Sequence, residues 1–198
     1  MKVASIDIET CGLAERGPDG HLKYDILAFG CVLDDLREQS PIETLPTFSC
    51  YFVLPSYTGS PFAFSLHAEI FKRIADRTFG YDFISPGKFG KCFKHFLIHN
   101  GYEEQYDKVH INVIGKNFNS LDRPFLSEKT DINKHIIMSH KILDPGPMMF
   151  DLNKDYAVPG LSECMKRAGI NPNVTHDALQ DAIDTLKVVR YCVKNKND

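Results

Sequence analysis

The chain has 198 residues, 43% of them hydrophobic and 11% aromatic, which is enough for one substantial buried core and predicts a single domain over residues 1–198. Its formal net charge is -3, with acidic and basic residues mixed along the chain. A uniformly basic surface is therefore excluded, and any affinity for a polyanion must be local.

The six cysteines are scattered along the chain. No Cys-x-x-Cys pair and no finger-like histidine spacing accompanies them, which excludes a zinc finger and a disulfide framework. We therefore expect reduced thiols and a cytoplasmic location. Asp7 and Glu9 interrupt the apolar run that a signal peptide needs, and no stretch approaches the ~20 apolar residues of a membrane span. The sequence thus predicts a soluble protein that has no membrane partner.

Three strands are predicted in the first quarter of the chain. Residues 2–8 alternate between apolar and polar, residues 25–33 are almost continuously apolar, and residues 48–54 follow a link that contains two prolines. Three consecutive strands before any helix predict an antiparallel start to a sheet. Residues 55–106 are less regular, with helical patterns at 66–77 and 87–99, and are interpreted as an elaboration on the scaffold.

The second half alternates strands and helices. Residues 109–115 predict a buried strand, and a helix follows from Asp122 to about residue 129. Asp122 therefore lies near the carboxyl end of a strand, where open α/β sheets hold their sites. Residues 141–144 predict a short edge strand and residues 160–168 a helix. An apolar stripe over residues 178–194 predicts a terminal helix that packs on the sheet.

Asp7 and Glu9 end the first predicted strand. Side chains two apart in a strand point the same way, so both carboxylates share one face. Close like charges raise each other's proton affinity unless a cation neutralises them, and carboxylate oxygens suit Mg²⁺ or Mn²⁺. A solvated strand end with two acids is the alternative that this motif alone leaves open. For Asp122 alone, the favoured interpretation is a helix-start acid that interacts with the helix dipole.

A second acidic group begins the terminal helix. Asp177 and Gln180 have the spacing of a capping box, so His176 lies just before the helix, where its imidazole could act as a base near neutral pH or simply be solvated. Asp181 lies one turn inside the helix, and the residues three and four positions later are Asp184 and Thr185. Neither can neutralise Asp181, which favours a metal as its partner.

These motifs, taken together, resemble those of the DEDDh 3′-5′ exonucleases, an RNase H-like group that includes polymerase proofreading subunits, oligoribonuclease and ribonuclease T. Residues 7–13 read DIETCGL, against the family's D-x-E-T-x-G-L. Residues 176–182 read HDALQDA, against H-x-A-x-x-D-A. The middle motif departs slightly, because Asn117 and Asp122 are separated by one residue more than in many members and Leu121 replaces the usual Phe.

The resemblance implies an RNase H-like α/β fold: a mixed central sheet, antiparallel in its first three strands and then parallel, flanked by helices. It implies that Asp7, Glu9, Asp122 and Asp181 hold two divalent cations, Mg²⁺ or Mn²⁺, and that His176 is the general base. Substrate-binding residues would be Thr10, Leu13 and Asn117.

The activity that the resemblance implies is 3′-5′ hydrolysis of terminal phosphodiester bonds in single-stranded or 3′-ended DNA or RNA, which releases 5′-mononucleotides. Two alternatives stay open: an exoribonuclease restricted to short RNA or RNA ends, and a non-catalytic nucleic-acid-binding or polymerase-accessory module. A polymerase or a second copy of the chain could be a partner.

Residues 88–96 interleave three lysines with three phenylalanines. That pattern would suit a surface that tracks phosphates and stacks bases. An amphipathic helix with a solvated basic edge is the favoured interpretation.

Overall fold

The computed structural model describes residues 1–38, 40–173 and 175–195. The strands are β1 (Lys2–Thr10), β2 (Ile26–Asp35), β3 (Thr47–Phe52), β4 (Phe83–Ile84), β5 (Glu104–Gln105), β6 (Lys108–Ile114) and β7 (Ile136–Leu143). The helices are α1 (Pro61–Leu66), α2 (Ala68–Asp76), α3 (Pro86–His99), α4 (Asp122–Lys129), α5 (Ile132–His135), α6 (Pro145–Met149), α7 (Leu161–Arg167) and α8 (Ala178–Asn195), and a 3-10 turn spans Ile42–Thr44.

The strands form one mixed sheet. Along one path the order is β4-β3-β2-β1-β6-β5, and β7 also pairs with β6. The β1–β2 and β2–β3 pairs are antiparallel, whereas β1–β6 and β6–β7 are parallel. The predicted fold class is confirmed: an antiparallel start followed by parallel strands, with helices around the sheet.

The two faces of the sheet are covered by different helices. On one face, the Phe29 ring of β2 meets the Phe89 and Phe93 rings of α3 at centroid distances of 4.7 and 5.0 Å, which are favourable edge-to-face contacts. On the other face, Val32 packs in a cluster with Leu186 of α8. Coverage of both faces explains why β2 is almost continuously apolar.

The prediction for residues 88–96 is resolved in favour of the amphipathic helix. Phe89 and Phe93 of α3 are fully buried, while Lys88 and Lys91 lie on its exposed side. The phenylalanines therefore form core and are not available to stack bases.

The predicted helix over residues 66–77 is wrong in its bounds. The chain forms two helices, α1 and α2, joined at His67. Ser60 ends the preceding loop, and its hydroxyl accepts a hydrogen bond from the Ala63 amide at 3.1 Å, so the first helix begins five residues earlier than predicted. Among the helices of the described residues, none is long and apolar enough to cross a membrane.

Candidate active site

One face of β1 packs against the N-terminal part of α8. The Ser5 hydroxyl donates a buried hydrogen bond of 2.7 Å to the carbonyl of Ala182. Because side chains alternate in a strand, Asp7 and Glu9 lie on the same face as Ser5, further toward the start of α8. Strand register and helix docking together bring the first and last acidic motifs to one place.

Gly30 makes this close approach possible. It pairs with Asp7 across the β1–β2 ladder, and a Cβ at Gly30 would lie 2.3 Å from the carbonyl carbon of Ala178. No side chain fits there, so the backbone of β2 directly supports the first turn of α8.

The start of α8 has the predicted capping geometry. The Asp177 carboxylate accepts a hydrogen bond from the Gln180 amide at 3.1 Å. His176 precedes it in a left-handed backbone conformation with a φ of 53°, and its side chain is exposed. One turn into the helix, the Asp181 carboxylate accepts hydrogen bonds from the amide and the hydroxyl of Thr175, at 3.2 and 3.1 Å.

Asp122 lies in the same region, at the start of the helix that follows β6, the strand that pairs with β1. The parallel pairing of β1 with β6 joins Ala4 to Val113 and Ser5 to Ile114, so the remainder of β1 runs beyond the end of β6. The Asp122 carboxyl lies close to the Ile8 backbone on this open edge, and hydrogen bonding there lowers its pKa and partly offsets the effect of burial. Asp122 is thus held at the carboxyl end of the sheet, as the strand-then-helix pattern predicted.

Burial raises the pKa of all four carboxyl groups, and the charges of neighbouring acids add to the rise for Asp7 and Glu9. Burial, followed by the charges of Asp122 and Glu9, holds the pKa of Asp7 well above its usual range. Burial and the charge of Asp181 raise the pKa of Glu9 to about 8. Burial also raises the pKa of Asp122 to about 8 and, to a smaller extent, that of Asp181, where the hydrogen bonds from Thr175 partly offset it.

The ion pairs of the structure leave these acids without a lysine or arginine partner in the described residues. Within residues 1–38, 40–173 and 175–195, no lysine or arginine forms an ion pair with any of the four. Possible ligand atoms of Glu9, His176 and Asp181 all lie within 4.8 Å of one another. Hard oxygen ligands of negative charge are the donor set that Mg²⁺ and Mn²⁺ prefer, so the residues present fit such ions.

Two of the predicted substrate-binding residues line one cleft beside the carboxylates. Thr10 and Leu13 border a cleft of about 340 Å³ together with Phe62, Leu66 and His67. The Leu13 side chain is 69% exposed, which leaves it available for an apolar contact. Asn117 is not among the lining residues. Its side-chain oxygen accepts a hydrogen bond from the Lys116 ammonium, and its backbone N–H donates one to the Asp144 carboxylate.

The sequence motifs missed His67. Its Nε2 atom lies 3.4 Å from Oε2 of Glu9, although it belongs to the irregular region of residues 55–106. The only sequence signal was a histidine near the start of the helical pattern at residues 66–77, and histidine is neither a typically buried nor a typically exposed residue type. Among the other acids of α8, Asp184 is buried and pairs with Lys187 at 2.8 Å.

Comparison with known proteins gives a similarity of fold. No family model and no curated protein sequence matches the chain. The nuclease domain of 3′hExo, a DEDDh family member bound to rAMP, is 17% identical with a TM-score of 0.59, covering 100% of this chain and 92% of that one. A full-length 3′-exonuclease is 16% identical with a TM-score of 0.63, covering 98% and 61%.

A third similar structure is that of S. pombe Pop2p in its Mg²⁺- and Mn²⁺-bound form. It is 17% identical to this chain with a TM-score of 0.59, and the match covers 95% of this chain and 81% of Pop2p. At these identities the likeness concerns the backbone architecture. The chain therefore has the fold of the DEDDh exonucleases, the RNase H-like mixed sheet that its sequence motifs predicted.

Proposed function

We propose that this chain is a metal-dependent 3′-5′ exonuclease that removes 5′-mononucleotides from the 3′ ends of DNA or RNA. The observation that carries the proposal is the group of Glu9, His176 and Asp181, whose possible ligand atoms lie within 4.8 Å of one another, together with the charges of Asp7 and Asp122 that act on the same acids. A buried group of acids with no lysine or arginine partner among the described residues is costly to a fold. Such a group of acids is retained in a fold where function requires it, and bound divalent cations neutralise the repulsion between the carboxylates.

The chemistry follows from this arrangement. Two Mg²⁺ or Mn²⁺ ions held by the four carboxylates would polarise the attacking water and the scissile phosphate. His176 is exposed on the loop before α8, and it takes the proton of the attacking water as general base. The water oxygen adds to phosphorus, the bond from phosphorus to O3′ breaks, and O3′ takes up a proton to become the new terminal hydroxyl of the shortened strand.

The cleft supports a nucleotide with little demand on base identity. Leu13, Phe62 and Leu66 border it and offer apolar contact, which any base can use because every base has an apolar face. The 3′hExo structure contains rAMP, and we carry a terminal nucleotide over to this cleft as a proposal. Discrimination between RNA and DNA would depend on a contact to the 2′-hydroxyl.

We also propose a reducing, cytoplasm-like compartment for this activity. Cys11, Cys31 and Cys50 are buried. Burial raises the pKa of Cys11 to about 12 and holds those of Cys31 and Cys50 well above their usual range. Such thiols stay protonated and act as small apolar core residues, which requires no oxidising environment.

The test uses matched single-stranded DNA and RNA oligonucleotides that carry a 5′ label. We expect stepwise shortening from the 3′ end with Mg²⁺ or Mn²⁺, and no reaction in EDTA. Asp181→Ala is expected to lower the rate by about three orders of magnitude or more, because it removes a metal ligand. Asp151→Ala, which alters an acid outside the cluster, should keep wild-type activity.

Three results would contradict the proposal. Intact oligonucleotides under every metal condition would favour the non-catalytic binding module. Internal cuts would indicate an endonuclease. Equal loss of activity in the Asp181→Ala and Asp151→Ala variants would mean that the acidic cluster has no special role.

A further inference from the structure

His67 is a buried histidine that the proposed mechanism does not use. It lies at the junction of α1 and α2, and it is only 4% exposed. Its backbone is fixed there, since its amide donates to the Ala63 carbonyl at 3.0 Å and its carbonyl accepts from the Phe71 amide at 3.1 Å. The imidazole therefore projects from a rigid point in the chain.

The two ring nitrogens have different surroundings. Nε2 lies 3.4 Å from Oε2 of Glu9, whereas Nδ1 is buried and has no hydrogen-bond partner within the described part of the chain. A neutral imidazole carries one N–H, on one of these two nitrogens.

The position of that single proton can be decided by comparing the two tautomers. A proton on Nδ1 would leave a buried N–H without an acceptor, and it would set the Nε2 lone pair against those of the Glu9 carboxylate when Glu9 is ionised to bind a cation. A proton on Nε2 places a donor opposite the Glu9 carboxylate. The favoured tautomer therefore has its N–H directed at Glu9.

His67 contacts the acidic site through Glu9, because its Nε2 atom lies against Oε2 of that residue and its other ring nitrogen is buried without a partner in the described part of the chain. A donor that holds one oxygen of a carboxylate leaves the other oxygen directed at the metal. Partners of this kind orient ligands, and their loss typically lowers metal affinity about 10- to 100-fold.

We propose that His67 is a positioning residue, whose Nε2–H holds the Glu9 carboxylate in the orientation that binds a divalent cation. This inference rests on the proposed function, because it takes Glu9 to be a metal ligand. It gives residues 55–106 a direct part in the site, since α1 and α2 hold His67 in place.

The test measures Mn²⁺ binding by the electron paramagnetic resonance signal of free Mn²⁺, in the absence of substrate. His67→Phe keeps the ring shape without a donor, and His67→Gln places an amide N–H close to the position of Nε2. We expect His67→Phe to weaken Mn²⁺ binding about 10- to 100-fold, and His67→Gln to bind within a few-fold of wild type. Exonuclease assays should show the same shift in the Mn²⁺ concentration for half-maximal rate, with the rate at saturating Mn²⁺ largely kept.

Ile74→Ala is the packing control, because Ile74 is a buried apolar residue of α2 that is distant from Glu9 in sequence. Its side chain has no polar group that could hold the Glu9 carboxylate. It should lower the melting temperature without weakening Mn²⁺ binding. Wild-type Mn²⁺ affinity in His67→Phe would overturn the inference, and so would equal losses in the Phe and Gln variants or weakened binding in Ile74→Ala. A wild-type protein that binds no Mn²⁺ and degrades no oligonucleotide would instead overturn the proposed function, and this inference with it.

Discussion

Asparagine in place of Asp122 preserves the shape of the side chain and removes its charge, so we expect it to stabilise the metal-free protein while it abolishes activity. Asp122 is 2% exposed, and burial raises its pKa from an ordinary 3.8 to about 8. At neutral pH the folded protein therefore holds a proton on Asp122 that the unfolded chain has already released. Because the folded protein binds more protons than the unfolded chain at this pH, the free energy of unfolding falls as the pH rises.

The sign and size of the effect follow from the direction of the shift. A carboxyl group whose pKa rises on folding contributes fully to stability below its unfolded pKa, and loses that contribution as the pH rises toward the folded value. The loss is about 1.4 kcal/mol per pH unit, so at pH 7 the carboxyl of Asp122 destabilises the fold by on the order of 4 kcal/mol. The amide forfeits about 1 kcal/mol of hydrogen bonding. A net gain of about 3 kcal/mol corresponds to a melting temperature roughly 6–12 °C higher.

The assay is thermal unfolding by circular dichroism in EDTA, between pH 5 and pH 8. The wild-type melting temperature should fall as the pH rises, because Glu9 also has a pKa of about 8, and the fall should be smaller in Asp122→Asn. Addition of Mg²⁺ should stabilise the wild type more than the variant, because the ion binds the charged form of the cluster.

Asp34→Asn is the matched control, since Asp34 is also buried but pairs with the guanidinium of Arg190 at 2.6 and 2.8 Å. The same chemical change should instead destabilise the fold there, because it removes the buried negative charge that pairs with the half-buried guanidinium of Arg190. If Asp122→Asn melts at or below the wild-type temperature in EDTA at pH 7, the argument that the buried carboxyl of Asp122 destabilises the metal-free fold is wrong.

Three further substitutions probe the site. Gly30→Ala should lower the free energy of unfolding by about 1–3 kcal/mol and kcat/KM at least tenfold, because a Cβ there would lie 2.3 Å from Ala178. Gly87→Ala is the control, since a Cβ at Gly87 meets no atom within 4 Å, and it should change neither quantity. Equal behaviour of the two variants would refute the close-approach argument. His176→Ala should lower kcat by about 10²–10⁴ with little change in melting temperature, and a normal kcat would exclude a general base. Leu13→Ala should raise KM about 5- to 30-fold through lost apolar contact, and steady-state kinetics with an unchanged KM would contradict a base contact there.

Regular geometry predicted the neighbourhood of each acid, whereas the grouping of the four acids was implied by the resemblance to the DEDDh exonucleases. Residues two apart on a strand share a face, which fixes Asp7 and Glu9. A helix that follows a strand begins at the carboxyl edge of the sheet, which fixes Asp122. The strong apolar period of residues 178–194 indicated where the last helix docks, and its first turn carries Asp181.

Residues 55–106 could not be predicted as well, for physical reasons. Helices as short as α1 and α2 have too few turns to show a clear apolar period, and their ends depend on caps such as Ser60. The β5 strand has two residues and exists through its pairing with β6, a contact that no local pattern encodes. The position of His67 depends on tertiary packing in the same way.

The β7 strand shows a different limit. It was predicted over residues 141–144 but spans Ile136–Leu143, so its edge position was anticipated but not its start. It follows α5 with no intervening loop, and its register with β6 shifts between Ile111 and Val113. A bulge of this kind interrupts the alternation of apolar and polar residues, which hides the first half of the strand from periodicity arguments.

Crystals of the wild-type protein soaked in Mn²⁺ would show directly whether the four carboxylates bind divalent cations together. We expect two anomalous difference peaks about 3.5–4 Å apart, in contact with oxygens of Asp7, Glu9, Asp122 and Asp181. A cluster without a peak at saturating Mn²⁺, with peaks only at surface carboxylates such as that of Glu43, would contradict a shared metal site and with it the nuclease function.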